Sequence, residues 1–311
     1  MKKMHAFLFV GLMVFASCSP RAYDFSFFAM GDMPYYYPDD YSRLDRLITS
    51  LNDENPAFTV HVGDFKSGSS PCSDEYFLKM QGYFRQFMHP LFYTPGDNEW
   101  TDCHRQAAGG FVAEERLDKV RELFYTQNET LIDPPFSYNS QSANDGYSEF
   151  VENAIWDHRN ITFGTLHVVG SNNNFKTDST ADNSEFMVRD VANQFWLEKI
   201  FQQAKSKNSD GIAIFLHAGL NYEDSEKNGF NNFTKKLREE VMGYDKPILM
   251  VYGDHHRFLI EKPLVDDQGK VLKNFTSLMV FGDKDMHAVE IRVDKDDKEL
   301  FLIRQFFVEG N

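Results

Sequence analysis

Short apolar runs punctuate the chain, and many of them stop at a polar turn. Phe25–Met30 stops at Gly31-Asp32, Phe58–Val62 at Gly63-Asp64, and Leu91–Thr94 at Pro95-Gly96-Asp97. Runs this short, rich in β-formers and bounded by Gly, Pro and Asp, predict strands. Between them Tyr41–Leu51 and Asp74–Met88 carry apolar residues at helical spacing, which predicts helices. Helices between strands imply a mainly parallel sheet with crossovers, whose ligands gather outside the carboxyl ends of the strands. The pattern continues with a strand at Ile161–Val169 and a helix at Val191–Ala204, with Phe195, Leu197, Ile200 and Phe201 on one side. Ile212–Leu216 predicts a strand ending at His217, and Pro247–Tyr252 one ending at Gly253-Asp254. Ser277–Phe281, Ala288–Val293 and Leu300–Phe307 read as antiparallel strands. The polar stretch Gln127–Ser148, rich in Ser, Asn, Gly and Pro, reads as a long surface loop. No repeat or linker splits the chain, so residues 24–308 read as one α/β domain.

The first residues follow a different pattern. Met1-Lys2-Lys3 is a basic start, Ala6–Ala16 is apolar, and Phe15-Ala16-Ser17-Cys18 follows. This is the layout of a secretory signal peptide, residues 1–17, with an apolar stretch too short for a comfortable membrane span. A cysteine directly after small residues resembles a bacterial lipobox, so Cys18 is expected to carry a lipid, although Phe15 is unusual at the first lipobox position. The expected location is the periplasm or cell surface, with the membrane touched only through that anchor. Cleavage near Ser17 or Ala22 without lipid is the alternative. In an oxidising compartment Cys72 and Cys103 remain as a pair and are expected to form a disulfide, with two free buried thiols as the alternative. No cysteine has the spacing of a zinc finger.

Composition changes this picture little. Of 311 residues, 42% are hydrophobic and 25% charged, which is enough for a sizeable core, and the 30 phenylalanines predict an aromatic-rich one. The net charge of −15 argues against nucleic-acid binding. It also sets a puzzle for an anionic substrate, which a bound divalent cation would resolve locally.

The chemistry-bearing residues stand at five strand ends: Asp32, Asp64, Asp97, His217, and the trio Asp254, His255 and His256. Carboxylate oxygen and imidazole nitrogen are ligands for zinc, manganese and iron. If the strands are neighbours, these side chains converge and two ions about 3.5–4 Å apart fit among them, a geometry suited to in-line attack on phosphorus. One Gly-Asp turn means little, since both are good turn residues; three in succession followed by His217 and Asp254-His255-His256 are hard to explain by turns alone.

This ordered set, Gly31-Asp32, Gly63-Asp64, Gly96-Asp97-Asn98-Glu99, His217 and Gly253-Asp254-His255-His256, resembles the five motifs of the calcineurin-like metallophosphoesterases, over about Phe25 to Val293. The resemblance implies two packed mixed β-sheets flanked by helices, an α-β-β-α sandwich, and two metal ions acting on phosphomonoesters, diesters or nucleotides. It implies that Asp32 binds the first ion, that Asp64 bridges both, and that Asp97 and His217 bind the second. His256 keeps the last motif's second histidine, and Asp254 replaces its first. Two departures stand out. The first motif reads Asp32-Met33-Pro34, where the family has a histidine ligand at the third position. Asn98 stands where the family carries its catalytic histidine, and an amide cannot donate a proton as an imidazolium can. His104 is the first substitute as general acid; His255 and His61 are weaker ones. Lys66, Arg105 and Arg257 are candidates for holding phosphate oxygens. Glu99 is expected to orient the metal loop, and His61 to be a core histidine. The more anionic donor set favours manganese, magnesium or calcium over zinc, with iron also a candidate. The expected activity is hydrolysis of a small phosphate ester or nucleotide by a metal-bound hydroxide at a divergent dinuclear site. The alternative is a degenerate, non-catalytic cell-envelope lipoprotein that binds metal or a phospholigand.

Overall fold

The computed structural model describes residues 23–126 and 136–311. The signal segment and Cys18 lie outside them, as does the first part of the Gln127–Ser148 stretch. Twelve strands are described: β1 (Phe25–Met30), β2 (Thr59–His61), β3 (Leu91–Tyr93), β4 (Tyr138–Ser140), β5 (Ala154–His158), β6 (Ile161–Thr165), β7 (Gly211–Phe215), β8 (Ile248–Tyr252), β9 (Leu259–Glu261), β10 (Phe275–Met279), β11 (Ala288–Val293) and β12 (Phe301–Phe306). They form a five-stranded sheet, β12-β11-β1-β2-β3, and a seven-stranded sheet, β4-β5-β6-β7-β8-β10-β9.

Strands β1, β2 and β3 are parallel neighbours, and β6, β7, β8 and β10 form a second parallel set. The two Gly-Asp crossovers seen in the sequence are the helices Tyr41–Glu54 and Asp74–Phe84. The first buries Leu44, Leu47, Ile48 and Leu51, one stripe at helical spacing. The second starts where the Ser73 hydroxyl accepts the Tyr76 N–H at 3.3 Å, with Asp74 and Glu75 favourable in its first turn.

Both faces of each parallel strand are apolar because both are covered. In β1, Phe28 and Met30 face the two helices, while Phe27 and Ala29 face the opposite sheet. In β7, Ala213 and Phe215 face inward, while Ile212 and Ile214 meet the helices Ser184–Lys207 and Asn231–Met242. Between the sheets the phenylalanines form one ring cluster. Phe27 stacks on Phe58 at 4.9 Å, and Trp156 lies flat on Phe92 at 3.6 Å. Burying each such ring contributes roughly 1.5–3 kcal/mol. The aromatic-rich core read from composition is the seam of the sandwich.

Three local expectations are corrected. The polar stretch up to Ser148 is not all loop, since β4 pairs with β5 and Gln141 is buried. The Ser277–Phe281 strand, here β10, runs parallel to β8 and antiparallel only to the three-residue β9. The long helix begins at Ser184, and Trp196 takes the core position expected for Phe195, which instead stacks on Tyr147. Among the described residues no helix is long and apolar enough to cross a membrane.

Candidate metal centre

The carboxyl ends of β1, β2 and β3 in one sheet lie across from those of β7 and β8 in the other, and the strand-end side chains meet between them. The turns that deliver them are sharp. Asp32, Asp64, Asp254 and His256 have φ of 54°, 57°, 76° and 59°, the left-handed region that Asp tolerates better than most residues. Gly63 lets two of these turns touch: at φ 95°, a Cβ there would meet the Gly96 nitrogen at 2.5 Å and His217 Nδ1 at 2.8 Å.

Two groups of ligand-type atoms result, Asp32 with Asp64 and His217, and Asp97 with His217 and Asp254, the donors in each lying within 4.8 Å of one another. Asp64 faces both ways. Its Oδ1 accepts the Asn98 N–H at 3.0 Å and lies 3.5 Å from His217 Nε2; its Oδ2 accepts the Tyr35 hydroxyl at 2.8 Å and the Asn98 side-chain amide. His217 is completely buried and fixed across the sandwich. Its Nδ1 lies 2.9 Å from the Val62 carbonyl oxygen and donates to it, which turns Nε2 toward Asp97 Oδ1 at 3.0 Å. A carbonyl that holds one ring nitrogen protonated leaves the other as a ligand atom. Asp32 is aimed by the Asp254 N–H, which donates to both carboxylate oxygens at 3.0 and 3.1 Å. Asp254 accepts the Gly219 N–H at 2.9 Å, and His256 Nε2 lies 3.6 Å from Asp32 Oδ1.

The electrostatics fit a cation. Burial pushes Asp32 up to about 7 and Asp64 well above the carboxylate range, only partly offset by His217. Burial alone would lower His217, but Asp64, Asp97 and Asp32 outweigh it and hold the ring well above its ordinary value. Burial would raise Asp97, but the His217 contact and the Ser171 hydroxyl outweigh it and leave the carboxyl low. Protein charge alone is thus short of positive charge here, and buried carboxylates with aligned oxygens are the donor set that hard divalent ions take.

Ser171 was not foreseen. It donates to Asp97 Oδ2 at 2.6 Å from a left-handed turn, Ser171 to Asn174, with φ of 49°, 57°, 57° and 58°. The buried Arg189 holds the turn, donating to Asn173 Oδ1 at 2.6 Å and to the Asn173 carbonyl at 2.9 Å. At Gly170 a Cβ would meet Asp97 Oδ1 at 2.6 Å and Asp254 Oδ1 at 2.8 Å, so the two carboxylates converge on a residue that must lack a side chain. The Tyr35 hydroxyl also sits in the centre, donating to Asp64, while Tyr36 and Tyr37 are exposed.

The other candidates divide. Lys66 is not placed to meet substrate: it is buried, and its ammonium donates to the carbonyls of Asn98 at 2.6 Å and Ser67 at 2.9 Å. Burial lowers its pKa to about 8. Arg257 is exposed beside the last motif. Arg105 pairs with Asp102 at 2.7 Å, and a Cβ on Gly68 would meet Arg105 Nη1 at 2.5 Å and Asn98 Oδ1 at 2.8 Å, which brings this cation to the rim. His104 is exposed, its Nδ1 2.6 Å from the Thr101 carbonyl, and lines a depression of about 620 Å³ with Arg105, Phe111, Ser171 and Lys176. Glu99 orients the loop as expected, Oε1 accepting the Phe65 N–H at 3.0 Å and the Tyr93 hydroxyl at 3.1 Å. His61 is a core histidine, its pKa pushed down to about 3 by burial. Cys72 and Cys103 form the disulfide, and both sulfurs lie 3.7 Å from the Asn98 carbonyl oxygen.

A two-sheet sandwich with carboxylates and imidazoles from both sheets at one edge defines an α/β protein of dinuclear metallohydrolase architecture. The sequence model of the calcineurin-like phosphoesterases matches residues 25–258, and the chain belongs to that family. The fold is similar to that of a dimetal phosphatase from Danio rerio, with 12% identity and a TM-score of 0.54 over 92% of this chain and 97% of that one. A purple acid phosphatase from yellow lupin seeds matches at 12% identity and a TM-score of 0.48, over 90% of this chain and 53% of that one. GAP50, the inner-membrane-complex anchor of Plasmodium, matches at 12% identity and 0.45, over 92% and 90%. No curated protein sequence matches the chain.

Proposed function

We propose that the chain is an exported metal-dependent phosphoesterase with two ions, the first held by Asp32, Asp64 and His256 and the second by Asp64, Asp97, His217 and Asp254. The observation that carries this reading is the pair of adjoining donor groups, Asp32 with Asp64 and His217 and Asp97 with His217 and Asp254, which meet at the buried His217. When bound, the ions supply Lewis acidity and activate water. The chain's own residues do the rest. The Asn98 backbone and side-chain amides hold both Asp64 oxygens in place, and the Val62 carbonyl fixes the His217 tautomer. Arg105 is at hand for phosphoryl oxygens, and Lys66 positions the Asn98 loop from behind. His104, at the rim with Arg105 and Ser171, is the candidate proton donor to the leaving group. Export, residues 1–17 as signal and a lipid on Cys18 belong to the same reading, as does a small phosphate ester or nucleotide as substrate.

The test is hydrolysis of a chromogenic phosphomonoester and a diester by the chain from Ser19 onward, with manganese, magnesium, calcium, zinc or iron and with chelator. Turnover that needs metal and disappears in Asp64→Ala supports the enzyme. Stoichiometric metal binding without turnover would favour the non-catalytic binder, for which Asn98 in place of an imidazole is the specific observation.

A further inference from the structure

The family resemblance places a ligand to the first ion at the first motif's third position, and Pro34, which stands there, cannot ligate. One residue further on, Tyr35 carries its hydroxyl into that gap. The oxygen lies 2.8 Å from Asp64 Oδ2, 3.1 Å from His256 Nε2 and 3.1 Å from Asn98 Nδ2. Two of these three neighbours are donors assigned to the first ion, and Asp32 Oδ1 lies 3.6 Å from the same His256 nitrogen. Donor atoms that share an octahedral ion at about 2.1 Å sit about 3 Å apart along each edge. Spacings of 2.8 and 3.1 Å are of that size.

The phenol is also fixed in place. The Asp40 carboxylate accepts the N–H groups of Tyr35 at 3.1 Å and Tyr36 at 2.8 Å, which pins the loop, and the Tyr35 ring packs edge-on against His256 with centroids 4.9 Å apart. Tyr36 and Tyr37 are 48% and 59% exposed, and the contacts of the Tyr35 hydroxyl are not theirs.

We propose that Tyr35 is a ligand of the first ion, completing with Asp32, Asp64 and His256 a set of three oxygens and one nitrogen. This rests on the metal-dependent reading above. On ligation the phenol O–H bond would break, its hydrogen bond to Asp64 would be lost, the phenolate oxygen would take up the ion, and the proton would leave to solvent. A phenolate is a hard anionic oxygen, so the set suits manganese or ferric iron better than zinc.

Ferric iron gives the test a signal that activity does not. Charge transfer from a filled phenolate orbital into the half-filled ferric shell absorbs visible light, and carboxylate or imidazole ligands do not produce that band. The full chain is stripped with chelator and loaded with ferric citrate; iron is counted by emission spectrometry and the visible spectrum recorded. Wild type and Tyr36→Phe should bind iron and show the band. Tyr35→Phe should bind it about tenfold or more weakly and show none. Iron bound by wild type without a band, or a band surviving in Tyr35→Phe, overturns the assignment while leaving the metal centre standing. If ferric iron does not bind, manganese(II) affinity is compared by calorimetry: a tenfold loss in Tyr35→Phe supports the ligand, and equal affinities overturn it. Failure of wild type to bind either ion overturns the centre itself, and the ligand with it.

Discussion

Replacing Asp32 with Asn tests whether the strand-end carboxylates are held apart from water for a cation. Asp32 is fully buried, and desolvation moves its pKa from 3.8 to about 7. An acid with a raised folded pKa holds its proton more tightly folded than unfolded, so its ionisation destabilises the fold. The penalty is absent below 3.8, grows through the window from 3.8 to about 7, and is complete above it. At 1.36 kcal/mol per unit, the rise from 3.8 to about 7 amounts to about 4 kcal/mol. Asn cannot ionise and still accepts one Asp254 N–H. In chelator, the stability of Asp32→Asn relative to wild type, measured by urea unfolding, should therefore climb by about 4 kcal/mol between pH 4 and 7.5. His217 pushes the wild type the same way. Its folded pKa is raised, so its stabilisation is complete below 6.5 and is lost as pH rises through the folded value. Manganese at a hundred times its Kd should restore wild type by about 2.7 kcal/mol and the variant by less. A difference that stays flat with pH in chelator would refute the idea that Asp32 is buried at an electrostatic cost a cation relieves.

Gly170→Ala should push a methyl group between Asp97 and Asp254, 2.6 and 2.8 Å from their oxygens, and halve the bound metal without altering the circular dichroism spectrum; unchanged stoichiometry by emission spectrometry would contradict the second-ion assignment. Replacing both Cys72 and Cys103 with Ala opens a crosslink spanning 31 residues and should cost about 4 kcal/mol in denaturant unfolding. Arg189→Met takes the guanidinium away from Glu185 and from the Asn173 turn, with an expected loss of about 3–5 kcal/mol and weaker metal binding as Ser171 drifts from Asp97; a stability change below about 1 kcal/mol would show that the turn holds itself.

Much of the centre could be read along the chain because each ligand ends its own apolar run. A strand that must stop at a buried edge needs a residue that tolerates a left-handed turn, and Asp32, Asp64 and Asp254 meet that need while presenting oxygens. Residues whose position depends on a second segment were harder to see. Lys66 follows the second motif and reads as a phosphate-binding cation, but two carbonyls across the loop satisfy its ammonium indoors. Ser171 sits in Gly170-Ser171-Asn172-Asn173-Asn174, a composition that hints at left-handed backbone, yet nothing local says the turn ends at Asp97. Strand β10 looked antiparallel because it neighbours two antiparallel strands in sequence; its partner β8 is separated from it by the last motif's loop and the short β9.

The two motif departures also take on a different weight once the loops are placed. A proline at the third position of the first motif and an asparagine in the third motif look, in one dimension, like two independent losses. In the fold Asn98 and Tyr35, the residue that follows Pro34, touch the same atoms. Asn98 donates to Asp64 Oδ2, and so does Tyr35, which also lies 3.1 Å from the Asn98 amide. Two donors on one carboxylate oxygen hold that oxygen between them, and an acidic or imidazole side chain in place of Asn98 would compete for the space. The substitutions therefore read as one coupled change around Asp64. Coupled residues should be non-additive. In a cycle of Asn98→Ala, Tyr35→Phe and the double variant, the manganese affinity of the double should fall short of the sum of the single losses by about 0.5–3 kcal/mol. Strict additivity would mean that the two side chains act on Asp64 independently.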